Sequence, residues 1–345
     1  MEQERRGRRG ARGGMIAIAV IGRNEGERLR AALRSAIEAG VPAVYVDSGS
    51  GDGSVALARS EGVAVVELDA AAPFTAGRAR NAGFEHLSGG LPAPRYVQFL
   101  DGDCRLVPGW LDHAAAALDR DPRLAAVAGR IREADPQANV FHRLGALEWQ
   151  REPGEVMACG GNLMVRAEAF RGVGGFRADV IAAEDDELCL RLRRAGGRIV
   201  LLDHDMVVHD LAMTRFGQWW RRAKRAGHAY AQGAALHGDA AERHFVRDCR
   251  RIWFWALALP ATALGLAWPT GGLSLVLLAA YPLQVVRLYA NGRRRGWARQ
   301  DALAYAAFTV LGKFPSLIGM FTYHLRRRTG RQMRIIEHKG SGIAP

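Results

Sequence analysis

Asp101-Gly102-Asp103 places two carboxylates two residues apart, directly behind the apolar run Tyr96–Leu100. At that spacing both can serve one divalent cation, one directly and one through water or a ribose. Hard oxygen donors suit Mg2+ or Mn2+ held together with a diphosphate. An ordinary Asp-Gly-Asp turn has the same spelling. In Val46-Asp47-Ser48-Gly49-Ser50-Gly51-Asp52, a strand end runs into a polar, Gly-rich loop. Asp47 there can accept hydrogen bonds from a base or ribose, while Ser50 or Asp52 can cap the helix that follows. Ala183-Glu184-Asp185-Asp186-Glu187 puts four acids in a first helical turn. They favour the helix dipole, or crowd one another until one carboxyl titrates near neutrality and serves as a general base. Arg78 and Arg80 share a helix aimed at the same strand ends, where guanidinium groups suit a diphosphate or surface ion pairs. His209 follows the strand-like Met206–Val208 and is either a metal ligand or a structural histidine.

These residues need a scaffold, and the chain supplies short apolar runs alternating with helical stretches. Ile16–Ile21, Ala43–Val46, Val63–Leu68 and Tyr96–Leu100 read as buried strands. Glu25–Ala39, Gly53–Ser60 and Gly77–Leu87 have helical period, as does Glu184–Ala195, which stops at Gly196-Gly197. Such alternation predicts βαβ units and a mostly parallel sheet. Ligands of such sheets bind beyond the carboxyl ends of the strands. Arg23-Asn24-Glu25, the Asp47 loop and Asp101-Gly102-Asp103 all fall there. No G-x-G-x-x-G follows the first strand, which excludes the dinucleotide-dehydrogenase fingerprint.

The charge is divided unevenly along the 345 residues. The net charge is +13, yet residues 15–214 sum to −6, whereas 215–251 carry +6 and 291–339 carry +9. An acidic body excludes the nucleic-acid binding that the overall charge first suggests. Four cysteines without paired spacing exclude a disulfide scaffold or a zinc ribbon. Residues 1–14, rich in Gly and Arg, read as a disordered basic tail. Ile252–Trp268 is uncharged over 17 residues, Pro269-Thr270-Gly271-Gly272 turns, and Leu273–Val286 is apolar again. With Arg-rich flanks on both sides, 252–290 predicts a transmembrane helical hairpin with both ends in the cytoplasm. Ala302–Thr322 is interrupted by Lys313-Phe314-Pro315, so 291–325 is read as interfacial or re-entrant helices rather than a third span. Residues 212–251 carry Trp219, Trp220, Arg221, Arg222 and Arg225, an amphipathic stretch suited to anionic headgroups. Residues 326–345 form a basic cytoplasmic tail.

Taken together, Ile21-Gly-Arg-Asn-Glu25, Val46-Asp-Ser-Gly-Ser50, Arg78-Ala-Arg-Asn-Ala-Gly83, Asp101-Gly-Asp103, Gly160-Gly-Asn162, Gly174-Gly-Phe176 and Glu184-Asp185 resemble family 2 glycosyltransferases of the GT-A fold. The resemblance covers 15–211, and the region after it is similar to the anchors of bacterial members that build exopolysaccharide or lipid-linked sugars. It implies an α/β, Rossmann-like catalytic domain with a C-terminal helical membrane region. It also implies inverting transfer from a UDP- or GDP-linked sugar to a hydroxyl of a lipid-linked acceptor, dependent on Mn2+ or Mg2+. On this reading Arg23, Asn24, Glu25, Asp47, Ser48, Arg78, Asn81, Asp101 and Gly102 handle the donor. Asp103 binds the metal with Asp101 and His209. Asp185 is the catalytic base beside Glu184, and Gly161 and Asn162 shape the acceptor side with Trp219, Trp220, Arg221 and Arg222. Gln218-Trp219-Trp220-Arg221-Arg222 has the residues of the processive Q-x-x-R-W motif in another order, which favours single-sugar addition. Transfer to polyprenyl phosphate, or a silent membrane scaffold, are the competing readings. The expected location is the inner (cytoplasmic) membrane, multi-pass, with the catalytic domain in the cytoplasm.

Overall fold

The computed structural model describes residues 16–331 and residue 333. The tail at 1–14 and most of the basic C-terminal segment lie outside the described residues. The chain divides into two compact units, 16–135 with 146–211, and 136–145 with the residues from 212 onward.

The first unit begins β1 (Ile16–Gly22), α1 (Glu27–Glu38), β2 (Ala43–Asp47), α2 (Ser54–Ser60), β3 (Ala64–Glu67), α3 (Ala76–Ser88), β4 (Tyr96–Asp101). These strands lie in the order β3-β2-β1-β4 and are parallel throughout. Ile16–Ile21 is buried at every position, as a central strand covered on both faces must be. Helix α1 turns Leu29, Ala32, Leu33 and Ala36 inward at spacings of three and four. Helix α3 lies close on the sheet because Gly83 has no Cβ: one there would stand 2.8 Å from the Ala19 methyl.

Beyond β4 the sheet becomes mixed. The chain adds β5 (Cys104–Leu106), α4 (Trp110–Arg120), β6 (Leu124–Glu133), α5 (Val140–Glu148), β7 (Gly154–Glu155), β8 (Leu163–Arg166), α6 (Ala167–Gly172), α7 (Glu184–Arg194) and β9 (Arg198–His209). The order continues β4-β8-β6-β9-β5, with β7 on β9. Strand β8 runs antiparallel to β4 and β6, and β5 antiparallel to β9. The chain leaves β1 toward β2 on one side and reaches β4 on the other, so a crevice opens at the carboxyl ends of β1 and β4.

The second unit is helical. It holds α8 (Phe216–His237), α9 (Val246–Trp253), a π turn (Phe254–Ala258), α10 (Leu259–Gly265), a 3-10 stretch (Leu273–Ala279), α11 (Ala280–Arg294), α12 (Arg299–Leu311) and α13 (Lys313–Arg328). Residues 136–145 belong to it rather than to the body read as 15–211. Asn139 donates to the Met213 carbonyl at 3.0 Å, Arg143 pairs with Asp301 at 3.1 Å, and Phe141 stands edge-on to Phe308.

Among the described residues two helices are long and apolar enough to cross a membrane, Leu273–Arg294 and Arg299–Arg328, of 22 and 30 residues. None of the most apolar window of the former is buried, and a third of the latter's is. The expected break at Lys313-Phe314-Pro315 is reduced to one non-helical residue, Gly312. Pro315 falls in the first turn of α13, where a missing N–H costs no helical bond. The uncharged arm that begins at Ile252 stays helical only to Gly265. Those 14 residues rise roughly 21 Å, short of a bilayer core of about 30 Å.

Candidate active site

Parallel strands deliver their last residues to one edge, and the acidic motifs sit on that edge. At the end of β2, Asp47 is 2% exposed. One of its oxygens accepts from the Tyr45 hydroxyl at 2.8 Å, the other from the Gly49 and Ser50 amides at 2.9 and 2.8 Å. The Asp47 carboxylate therefore shapes the loop Ser48–Ser50. That loop is tied to the segment after β1: the Asn24 amide donates to Ser50 Oγ at 2.9 Å, and the Gly51 amide to Asn24 Oδ1 at 2.8 Å. Asn24 takes a left-handed φ of 54°, which asparagine tolerates better than most residues. Arg23 lies over the Phe74 ring, Glu25 pairs with Arg28, and Ser48 donates its amide to the Gly22 carbonyl.

At the end of β4 the two aspartates diverge. Asp101 turns to Arg80 and Asn162. Arg80 Nη2 meets Asp101 Oδ1 at 2.7 Å, the Asn162 amide donates to Asp101 Oδ2 at 3.2 Å, and the Asp101 backbone N–H donates to Asn162 Oδ1 at 2.8 Å. Gly102 donates its N–H to the Ile21 carbonyl at 2.7 Å, locking the turn against β1. Asp103 turns the other way, toward His209, whose Nε2 is 3.5 Å from Asp103 Oδ2. The opposite ring nitrogen, Nδ1, lies 2.9 Å from Glu133 Oε2, and Glu133 also accepts the Leu211 amide at 3.0 Å. Burial works to lower the His209 pKa, but hydrogen bonds and charge from Asp103 and Glu133 outweigh it and hold the ring up at about 9.

Arg80 is the hinge of the arrangement. It is 3% exposed, and its second arm, Nη1, reaches Glu184 Oε1 at 2.6 Å. Its guanidinium lies over the Phe176 ring and covers Gly161, where a Cβ would run into it. Asn81, one residue on, exchanges two hydrogen bonds with the Phe176 backbone at 2.8 and 2.9 Å, pinning α3 to that segment. Arg78 donates instead to the Ala72 carbonyl. Burial, then the charges of Glu184 and Asp186, push the half-buried Asp185 carboxyl up to about 7. The turn that presents it starts at Ala183, held at a φ of 56°, a strained value for alanine.

Asp103 and His209 carry the donor chemistry of a divalent-metal site, with Glu133 behind the histidine as an orienting carboxylate. Asp101, committed to Arg80 and Asn162, stands outside that cluster. Trp219, Trp220, Arg221 and Arg222 lie on α8 in the second unit. Trp219 is buried edge-on against Phe308, Trp220 packs on Phe216, and Arg221 is exposed.

Arg80 and Glu133 are the candidate-site residues that motif reading underweighted. Arg80 shares the inward spacing of Gly77, Gly83, Phe84 and Leu87 on α3, a period that marks it as buried. Glu133 ends a strand of small residues with no motif around it.

A parallel-to-mixed sheet of this order, carrying an Asp-x-Asp turn at the end of its fourth strand, has the GT-A architecture. The model of glycosyl transferase family 2 matches residues 17–174, and that of glycosyl transferase family group 2 matches 96–312. The chain belongs to glycosyl transferase family group 2. It is 30% identical over 181 residues to the pre-mycofactocin glycosyltransferase of Mycobacterium tuberculosis. That match takes in 49% of this chain and only 38% of the relative's length. Among solved structures, the mannosyltransferase PcManGT from Pyrobaculum calidifontis, in complex with GDP-Man and Mn2+, gives a TM-score of 0.59 at 20% identity over 89% of this chain and 86% of that one. S. aureus TarS 1-349 gives 0.50 at 15% identity over 92% of each chain. At these identities the likeness is one of fold.

Proposed function

We propose that this chain is a metal-dependent, inverting glycosyltransferase that moves a sugar from a UDP- or GDP-linked donor to a hydroxyl of a lipid-linked acceptor. The observation that carries the reading is the Asp101–Arg80–Glu184 bridge, which ties the acid motif of β4 to the acid turn of α7. A donor-handling strand end and a proton-accepting helix turn are thereby held as one assembly. The related structure bound to GDP-Man and Mn2+ supports the donor class and the metal.

In this scheme the Asp47 loop, with Arg23, Asn24, Glu25 and Ser48, receives the nucleoside end of the donor, and Arg78 lies toward its diphosphate. Asp103 and His209 would hold Mn2+ or Mg2+, which when bound neutralises charge on the departing diphosphate. Asp185 takes the proton of the acceptor hydroxyl as its oxygen bonds to the anomeric carbon. The bond from that carbon to the diphosphate oxygen breaks on the opposite face, so the centre inverts. A carboxyl titrating near 7 is matched to that task at physiological pH. Gly161 and Asn162 border the acceptor side. Arg221, Arg222 and the tryptophans of α8 suit an anionic lipid surface or a lipid diphosphate. The two apolar helices support a multi-pass anchor in the cytoplasmic membrane, and we place the first unit on its cytoplasmic side.

The test is incubation of the detergent-purified full chain with Mn2+ and a panel of UDP- and GDP-sugars, following nucleotide release. Metal-dependent release from one donor is expected, with Asp185→Asn losing transfer to a hydroxyl acceptor. If no donor is bound or hydrolysed, the enzyme reading fails. If Asp185→Asn retains full transfer to polyprenyl phosphate, an acceptor already ionised, the acceptor reading fails instead.

A further inference from the structure

Beside the residues assigned to the metal stands a side chain that the proposed chemistry leaves unused. Cys104 opens β5 and pairs directly with His209 across the antiparallel ladder, so the two side chains rise on one face of the sheet. A carboxylate oxygen of Asp103, the sulfur of Cys104 and a ring nitrogen of His209 all lie within 4.8 Å of one another. Asp103 is 6% exposed and Cys104 1%. The Asn162 side-chain amide points an N–H at Cys104 Sγ from 3.4 Å, and the thiol itself faces Asp103 Oδ1 at 3.6 Å. An N–H directed at sulfur stabilises the thiolate that a metal requires. Glu133, fixed by the Leu211 amide, holds His209 Nδ1 and leaves Nε2 toward the cluster. The donor set is one oxygen, one nitrogen and one sulfur. Sulfur changes which ions such a set prefers, since Mg2+ takes oxygen ligands whereas Zn2+, Co2+ and Cd2+ take thiolates readily.

We propose that Cys104 is a third ligand at the Asp103–His209 position, so that the site binds thiophilic divalent ions ahead of Mg2+. The proposal rests on the reading that Asp103 and His209 hold the ion. As the sulfur–metal bond forms, the thiol proton passes to water and no redox change occurs.

Cobalt reports the bond directly, because a thiolate–Co2+ bond gives a near-ultraviolet charge-transfer band. The full chain, purified in detergent and stripped of metal, is titrated with Co2+ and its spectrum recorded. A saturable charge-transfer band is expected in the wild-type protein. It should persist in Cys159→Ser, a necessary control because the Cys159 and Cys189 sulfurs form a second close pair at 3.8 Å. It should vanish in Cys104→Ser, with Co2+ affinity falling about tenfold or more while Mg2+ affinity, by calorimetry, changes by no more than about twofold. Co2+ binding with ligand-field bands but no charge-transfer band in the wild-type protein overturns the sulfur ligand, whatever the variants do, and leaves the Asp103–His209 site standing. A band that survives Cys104→Ser overturns it equally. If neither Co2+ nor Mn2+ binds, or if binding is unchanged in His209→Ala, the metal reading itself falls.

Discussion

Replacing Asp185 by asparagine should cut transfer steeply and stabilise the protein at the same time. The unfolded carboxyl titrates at its ordinary 3.8, whereas in the fold burial and the flanking carboxylates of Glu184 and Asp186 push it up to about 7. Between those values the folded chain keeps a proton that the unfolded chain has lost, so stability falls as pH rises from about 4 to about 7 and stays low above that. At about 1.4 kcal/mol per pH unit the interval sets a ceiling on the order of 4 kcal/mol. Asp185 is only half-buried and solvent screens part of the cost, so roughly 1–2 kcal/mol is the expected gain for Asp185→Asn well above pH 7. In a domain of this size that is a rise in Tm of about 2–8 °C. The measurement is thermal unfolding of the detergent-purified wild-type and variant proteins, metal-free, at pH 5.5 and 8.5, followed by tryptophan fluorescence. The Tm advantage of the variant should be larger at pH 8.5, while turnover drops by roughly 10²–10⁴. A variant less stable than wild type at pH 8.5, or equally favoured at both pH values, would show that the carboxyl is not held against its charge and would remove the reason for naming it the base.

Three further outcomes follow from the same geometry. Arg80→Lys keeps the charge but cannot reach Asp101 and Glu184 together, so it should lose about 1–3 kcal/mol in thermal unfolding and at least about tenfold in turnover. Gly161→Ala puts a methyl where the Arg80 guanidinium lies and should cost about 1–3 kcal/mol; in the Arg80→Ala background the same change should cost much less, a coupling readable from a double-mutant cycle. Ala183→Gly relieves a left-handed alanine and should raise stability by about 1 kcal/mol by denaturant unfolding, the relief of the left-handed conformation outweighing glycine's entropic cost.

The first half of the sheet was legible because β1, β2 and β4 are buried on both faces and so are written as unbroken apolar runs, bounded to within about a residue. The second half was not. Strand β6 is Leu-Ala-Ala-Val-Ala-Gly-Arg-Ile-Arg-Glu, a mixture of small and charged residues with no clear period, and β7 is two residues long. The acid motifs were legible because their chemistry depends on local spelling. Their partners were not, since Asp103 meets His209 only through the β5–β9 ladder, and Arg80 finds Glu184 only across the unit. Lys313-Phe314-Pro315 marks the junction correctly, with α12 ending at Leu311 and α13 starting at Lys313, although one residue is all that separates them. A proline reads as a break, yet here it stands where a helix begins.

The assignment of residues 136–145 to the helical unit means that, among the described residues, the backbone passes between the two units three times, after Asp135, after Gly145 and after Leu211. The sugar-handling unit is thus not a detachable cassette. A chain cut after Leu211 would keep Asn139, Phe141 and Arg143 while discarding Met213, Phe308 and Asp301, leaving a ten-residue strip of apolar and charged surface with nothing to cover it. Transplanting the unit onto another anchor would require replacing that strip by a short loop from Asp135 to Ala146.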